Sequence, residues 1–215
     1  MKIVMILLFT LAGAHAHAQK FSWVFLHKNP AAPVLAKEEA DALMKGHFAN
    51  MERLAKEGKL IAAGPFEGGG GIFVFRAATP QEIAEWTQPD PGIQAKRWNL
   101  ELLTYTADYG AICAVTAPYT MVEYSLVYFR ADVRKFNVQQ AAATVEQHRQ
   151  FVKKLAATGN LIAAGIFGDV DGALVVMKGQ VDSAVFLEDP AVKEALYLPE
   201  VKKLYIAQGA FCEKP

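Results

Sequence analysis

Two histidines at matched places in the chain are the residues best suited to proton transfer. His47 opens "HFANMERLAKEGKLIAAGPF" and His148 opens "HRQFVKKLAATGNLIAAGIF". Each follows an apolar residue by three positions and precedes another by four, so each lies on the apolar face of a predicted helix. An imidazole with a pKa near neutrality can act as a general base or acid. The alternative is a histidine that is simply satisfied within the core.

Two aspartates are the second candidate group. Asp90 and Asp189 each precede a proline, after the second predicted helix of their half. Asp followed by Pro is a favoured helix start, with Asp as N-cap, and capping alone could explain both residues. A carboxylate beside a histidine would also hold its tautomer and stabilise the imidazolium. One aspartate can do both.

The chain contains an internal duplication. Ten of the twenty positions from His47 to Phe66 are identical 101 residues later. The Asp-Pro steps and the two cysteines repeat at an offset of 99 residues. Repeats of this kind determine the architecture, and they predict two copies of one structural unit.

Each copy reads as strand, helix, strand, strand, helix, strand. "FSWVFLH" and "YSLVYFR" are typical opening strands. Long helices are predicted near Lys37 to Glu57 and near Val138 to Thr158, ending at Gly58 and Gly159. We therefore predict an α+β protein of two ferredoxin-like βαββαβ repeats whose open sheet faces pack against each other. The repeats are placed at residues 19–107 and 122–215, with a linker at 108–121.

The run "EGGGG" from Glu67 to Gly71 invites comparison with a phosphate-binding loop. Such a loop requires a helix directly after the glycines. A strand is predicted here instead, so a hairpin turn is the favoured interpretation.

The first 18 residues are typical of a cleaved secretory signal, with Lys2, an apolar run and small residues near Ala18. A buried first strand is the alternative. Export would make the protein periplasmic or secreted, where disulfides persist. Cys113 and Cys212 end the matching phrases "YGAIC" and "QGAFC" and could form a bridge, or could be two small buried side chains.

Composition excludes several classes of function. The 22 basic and 22 acidic residues balance, so no basic surface for nucleic acid is indicated. After signal cleavage we expect no membrane span. Only three histidines would then remain, and no zinc-ligand spacing is present. No metal and no cofactor are therefore expected, and the expected partner is a small-molecule ligand.

The order "GHFANMERLAKEGKLIAAGPF" followed by "DPGIQ" resembles the YciI-like, or YCII-related, domain family. The resemblance covers the mature chain as two tandem units. It implies a dimeric α/β-barrel arrangement, here supplied by one chain, which would be a monomer with an internal pseudo-dimer or a homodimer. It also implies an active site of histidine plus aspartate, which here would pair His47 with Asp90 and His148 with Asp189.

Some members of that family are lyase-type enzymes acting on chlorinated hydroxyquinols, and most have no assigned activity. The resemblance therefore implies a His/Asp acid–base lyase or isomerase for a small phenolic or carbonyl compound. A non-catalytic periplasmic binding or scaffold module is the alternative. The chain departs from the family at Ile166, where the first copy has Pro65, and at Gly92 and Ala191, where an aromatic residue is common. Typical relatives are also cytoplasmic, whereas export is predicted here.

Overall fold

The structure is a computed structural model that describes residues 20–135 and 137–213. The predicted signal segment, residues 1–18, lies outside the described residues. Within them the strands are β1 Lys20–Lys28, β2 Leu60–Pro65, β3 Gly71–Arg76, β4 Trp98–Tyr109, β5 Met121–Ala131, β6 Leu161–Phe167, β7 Gly172–Lys178 and β8 Tyr197–Ala207. The α-helices are α1 Lys37–Lys56, α2 Pro80–Thr87, α3 Pro91–Gln94, α4 Val138–Ala156 and α5 Pro190–Lys193. Short 3-10 helices cover Val133–Lys135 and Ser183–Glu188.

All eight strands form one antiparallel sheet in the order β2-β3-β1-β4-β6-β7-β5-β8. The first four strands in this order come from the first half of the chain, and the last four come from the second half. Read outward from the centre, the first half runs β4-β1-β3-β2. The second half has the equivalent order, β8-β5-β7-β6, when it is read inward from the end strand β8. The predicted mixed α+β class is confirmed.

The sheet closes on itself at its two end strands, β2 and β8. Phe66, just after β2, forms a bridge with Leu204 of β8. The Glu67 N–H donates to the Lys203 carbonyl at 3.0 Å. The other junction between the halves pairs β4 with β6, for example Thr106 with Ile166. Each half is therefore held to the other along two junctions.

The enclosed face of the sheet forms the largest core. Alternate residues of β1 and β5 point into it, as a two-residue strand period requires. They include Phe21, Trp23 and Phe25 of β1 and Tyr124, Leu126 and Tyr128 of β5. Full burial of such side chains contributes roughly 2 kcal/mol each, so this shared core is a major source of cohesion between the halves.

The opposite face of the sheet is covered by helices, separately in each half. Leu54 of α1 packs with Val24, Phe73 and Phe75 of the first half. In the second half, Leu155 of α4 belongs to the cluster that includes Val127 and Val175. The histidines predicted on the inward faces of these helices therefore lie between helix and sheet, outside the shared core.

The second helix of each half differs from the prediction of one short helix. The first half has α2, capped by Thr79, followed by α3. The second half has the 3-10 helix that begins after Asp182 and then α5. The stretch from Asp182 to Asp189 is shorter than the stretch from Thr79 to Asp90, so it accommodates 3-10 turns in place of the two-turn α2.

The glycine run after β2 is the predicted hairpin turn. It joins the antiparallel pair β2 and β3. Gly68, Gly69 and Gly70 all have positive φ, at 83°, 106° and 77°, which side chains other than glycine rarely adopt. The Phe66 N–H closes the turn by donating to the Gly70 carbonyl at 3.1 Å.

Cys113 and Cys212 form a disulfide across 99 residues of sequence, with their Cα atoms 5.2 Å apart. The bridge was the first of the two alternatives for these residues. Cys113 follows β4 and Cys212 follows β8, so the bond joins the two halves just beyond their last strands. The Cys113 N–H also donates to the Ala210 carbonyl at 2.9 Å. The segment 110–120 connects β4 to β5.

Candidate active site

His47 is placed by α1 against the outer face of the sheet. It is 6% exposed, and its Nδ1 lies 2.8 Å from Oδ2 of Asp90. The imidazole stacks on Phe73 of β3, with ring centroids 5.6 Å apart and planes 21° apart. The ring therefore lies between helix and sheet, with one nitrogen held by a carboxylate.

Asp90 caps α3 and orients His47 at the same time. Its Oδ1 accepts the N–H of Gly92 at 2.9 Å and that of Ile93 at 3.3 Å. Its Oδ2 faces His47 and lies 3.4 Å from Nδ2 of Asn50. The two interpretations of the Asp-Pro step are thus compatible, because each carboxylate oxygen serves one of them.

Asp90 is fully buried, and burial alone would raise its pKa. The hydrogen bond and charge of His47, with the two backbone N–H groups, outweigh that effect, so the pKa of Asp90 lies below its usual range. An ionised carboxylate only accepts hydrogen bonds. Nδ1 of His47 must then carry a proton, so Nε2 is the nitrogen that remains to accept or release one.

The second half repeats this arrangement. His148 on α4 is 2% exposed, and its Nδ1 lies 2.5 Å from Oδ2 of Asp189. Asp189 is buried and caps α5, accepting the Ala191 N–H at 2.9 Å through Oδ1. The structure therefore brings all four candidate residues together as two separate pairs.

An aromatic residue that the sequence analysis missed packs against the histidine of each pair. Trp98 lies beside His47, with ring centroids 4.8 Å apart. Tyr197 lies beside His148 at 5.2 Å. These residues begin β4 and β8 and are 99 positions apart, the same offset as the aspartates. That shared offset was the signal in the sequence that could have identified them.

The aromatic residue beside each histidine and the residue after each Asp-Pro step both differ between the halves. A Cβ atom on Gly92 would lie 2.3 Å from Cζ3 of Trp98. The second half carries Ala191, and there the smaller Tyr197 replaces the tryptophan. Glycine at position 92 is therefore required by the indole beside it.

Tyr197 also brings a polar group to the second pair. Its hydroxyl is buried without a hydrogen-bond partner among the described residues. Burial, followed by the charge of Asp189, raises the pKa of Tyr197. The phenol therefore stays protonated at neutral pH and is a potential hydrogen-bond donor close to His148.

A cavity of about 220 Å³ borders His148. It lies between the halves, because Asp108 and Tyr109 of β4 line it together with His148 and Arg149 of α4. Nε of Arg149 lies 3.0 Å from Oδ2 of Asp108. A small molecule in this cavity would contact the second histidine directly.

The corresponding positions around His47 have different chemistry. Phe48 replaces Arg149 and is 59% exposed. Ala207 stands where the first half has Asp108, at the strand offset of 99 residues. The surroundings of His47 are therefore apolar where those of His148 are charged.

Within residues 20–135 and 137–213, no group of three or more His, Cys, Asp or Glu residues is placed to hold a metal ion. Among the same residues, no helix is long and apolar enough to span a membrane.

Together, fold and site define a mixed α+β protein with one closed eight-stranded antiparallel sheet and two buried His–Asp pairs on its outer face. Residues 22–100 match the model of the YCII-related domain. The match includes His47 and Asp90, whereas His148 and Asp189 lie outside it. The match to this family is thus confined to the first half of the chain.

Three solved structures are similar to this chain. A protein provisionally named a monooxygenase, from Lactobacillus acidophilus NCFM, has 14% identity and a TM-score of 0.43, covering 88% of this chain and 94% of that one. One provisionally named a chlorite dismutase has 10% identity and a TM-score of 0.49, with coverage of 88% and 94%. One provisionally named a monooxygenase, from Fusobacterium nucleatum, has 8% identity and a TM-score of 0.43, with coverage of 90% and 94%. At these values the three structures carry no inference about the activity of this chain.

No curated protein matches the sequence at a significant level.

Proposed function

We propose that this chain is a tandem pair of YciI-like units that catalyses proton transfer on a small phenolic or carbonyl compound. The observation that carries the proposal is the pairing of each buried histidine with a buried aspartate, His148 also bordering a cavity. The tandem arrangement is supported by the sheet order β4-β1-β3-β2, which recurs as β8-β5-β7-β6. In this proposal each half is a ferredoxin-like unit, and the closed sheet corresponds to a dimeric α/β barrel within one chain.

The aspartate fixes the role of each ring nitrogen. With Nδ1–H donating to the carboxylate, Nε2 accepts a proton from a carbon next to a carbonyl or from a phenol. The electron pair of the broken C–H bond moves to the carbonyl oxygen and gives an enolate. The imidazolium, stabilised by the aspartate, then returns the proton to another carbon in an isomerisation. In an elimination it protonates the leaving group.

The test is turnover of a panel of substituted phenols and keto acids, followed by substitution of the histidines. We expect His148→Gln to lower kcat on the best substrate by about 100-fold or more, as is typical for loss of a general base. Asp189→Asn should also lower kcat, because an amide can hold the other tautomer of the ring. Gln150→Ala, an exposed change on the same helix, is the matched control and should leave kcat unchanged.

A binding module without turnover is the second candidate, and the low exposure of both histidines favours it. In that case no panel compound is turned over. Compounds that bind would then do so equally well in the wild-type protein and in a stable His47→Ala/His148→Ala double variant. That result would contradict the acid–base proposal.

We infer further that the protein works outside the cytoplasm, as a monomer with an internal pseudo-dimer. The disulfide between Cys113 and Cys212 supports export, because such bonds persist in oxidising compartments. The junctions β4–β6 and β2–β8 within one chain support the monomer. Cell fractionation and light scattering after gel filtration test the two inferences. A cytoplasmic protein would contradict the first inference, and a stable dimer would contradict the second.

A further inference from the structure

A second and larger cleft lies away from both His–Asp pairs, at one end of the closed sheet. Its volume is about 460 Å³, within the range of small-molecule sites. It is lined by Glu101 and Leu103 of β4, by Tyr128, Arg130 and Ala131 of β5, and by Val170 and Asp171 of the β6–β7 turn. Neither candidate histidine is among these residues.

Two of the lining residues, Glu101 and Tyr128, belong to one hydrogen-bonded group. The hydroxyl of buried Tyr128 donates to Oε1 of Glu101 at 2.8 Å. Nε2 of His27 lies 2.7 Å from Oε2 of the same carboxylate. Three strands, β1, β4 and β5, therefore fix the position of one carboxylate at the end of the enclosed core.

Glu101 is negatively charged at neutral pH. The hydrogen bond from His27 is the largest influence on its pKa, which lies below the usual range. The hydrogen bond from Tyr128 and the charge of Arg130 act in the same direction, against the opposing effect of burial. The site therefore presents a fixed anion.

Two further charges line the cleft, and both are exposed. Arg130 contributes a guanidinium and Asp171 a carboxylate. Among the described residues, neither lies within 4.0 Å of an oppositely charged group. Leu103, Ala131 and Val170 add apolar surface to the lining. The lining thus offers two carboxylates, one guanidinium and apolar side chains in one small volume.

We propose that this cleft binds a small zwitterion of amino-acid type. The ligand's carboxylate pairs with Arg130, whose planar donors suit a carboxylate. Its ammonium group lies near Glu101 and Asp171, and its apolar side chain covers Leu103 and Val170. One zwitterion thus meets both the positive and the negative groups of the site, which a singly charged ligand cannot do.

The test compares three probes of similar shape by isothermal titration calorimetry at low salt. L-Leucine carries both charges, 4-methylpentanoate only the carboxylate, and 3-methylbutylamine only the ammonium group. We expect leucine to bind with a dissociation constant below about 1 mM and each singly charged probe to bind at least tenfold more weakly. Equal binding of all three probes would overturn the proposal, and so would no heat of binding with leucine at 10 mM.

Two substitutions identify the site. Arg130→Gln should weaken leucine binding at least tenfold and leave binding of the amine unchanged, whereas Asp171→Asn should weaken leucine and the amine together. Arg76→Gln, an exposed arginine on β3 outside the cleft, is the charge-matched control. His148→Gln should bind leucine normally, which separates this site from the proposed active site. Leucine binding that survives Arg130→Gln undiminished would refute the assignment.

Discussion

At the scale of single residues, the main feature is a carboxylate that serves a helix and an imidazole with different oxygens. Asp90 accepts two backbone N–H groups through Oδ1 and faces His47 through Oδ2. A rotation of the Asp90 side chain would break both contacts, because both depend on the same orientation of the carboxylate. The histidine is thus positioned by the start of a helix of only four residues.

The lowered pKa of Asp90 predicts how its contribution to stability depends on pH. A carboxyl group with a depressed folded-state pKa stabilises the fold above its unfolded pKa of about 4 and loses that contribution as pH falls through the folded value. Asp90→Asn should therefore lower the free energy of unfolding at pH 7 by about 3 kcal/mol. Below pH 4 the variant should also lose less stability than the wild-type protein does.

Urea unfolding at pH 7, 5 and 3 measures this effect. Asp41→Asn, at an exposed aspartate on α1, is the control and should have little effect at any of the three values. An unchanged pH dependence in Asp90→Asn would show that the pair with His47 contributes nothing to folding.

The steric relation between Gly92 and Trp98 yields a second prediction. Gly92→Ala places a Cβ atom 2.3 Å from the indole, and overpacking of this kind costs about 1–3 kcal/mol. Adding Trp98→Tyr to Gly92→Ala reproduces the second half of the chain and should recover at least part of the loss. Thermal unfolding of the four proteins in this double-mutant cycle gives the coupling energy. Additive effects of the two substitutions would contradict a steric relation between residues 92 and 98.

Sequence reasoning reached the catalytic candidates at this scale but not their surroundings. The duplication marks both His47 and Asp90. Helix periodicity marks His47 as well, and the step to Pro91 marks Asp90 as a helix cap. Trp98 could have been found from the 99-residue offset that it shares with Tyr197. Glu101 could not, because it reads only as one residue of an alternating strand. The contact of Tyr128 with Glu101 depends on how distant strands are arranged in the closed sheet. Local sequence patterns do not contain that information.

At the scale of elements, the junctions between the halves depend on two equivalent glycines. A Cβ atom on Gly64 of β2 would lie 2.2 Å from the carbonyl oxygen of Tyr205 in β8. A Cβ atom on Gly165 of β6 would lie 2.2 Å from that of Thr106 in β4. The glycine shared by the two "LIAAG" phrases is therefore required where strands of different halves approach closely.

Substitution at these junctions should be more damaging than substitution at a turn. Gly64→Ala and Gly165→Ala must displace backbone, so each should lower the free energy of unfolding by about 3 kcal/mol or more. Gly58→Ala is the control, because Gly58 has a positive φ of 67° but no neighbour within 4 Å. It should cost only about 1 kcal/mol. Equal losses in denaturant titrations would argue against a steric role for the junction glycines.

The elements themselves were largely predictable from sequence. The long helices end within two residues of the predicted positions, at Lys56 and Ala156, because Gly58 and Gly159 mark their ends. The 3-10 form of Ser183–Glu188 was not predicted, since it reflects the shorter segment available before Asp189. The pairing of β4 with β6 was also beyond the sequence pattern, because hydrophobic alternation shows which face is buried but not which strand is adjacent.

At the scale of the whole molecule, the halves are held together by the shared core, the two sheet junctions and one disulfide. The disulfide restricts the unfolded chain across 99 residues, which predicts a stabilisation of about 4 kcal/mol. Cys113→Ala/Cys212→Ala should therefore unfold at lower denaturant concentration than the wild-type protein. Wild-type protein unfolded in the presence of reductant should behave like the double variant, whereas reductant should not affect the variant. Equal midpoints for all samples would contradict a stabilising bridge.

The position of that bridge has a consequence for the integrity of the polypeptide. Cys113 lies near the start of the connection from β4 to β5, and Tyr119 near its end is 54% exposed. A protease cut between Ala114 and Thr120 would therefore produce two fragments that remain covalently attached through sulfur. Such nicked molecules would migrate as one band on a non-reducing gel and as two once a thiol is added.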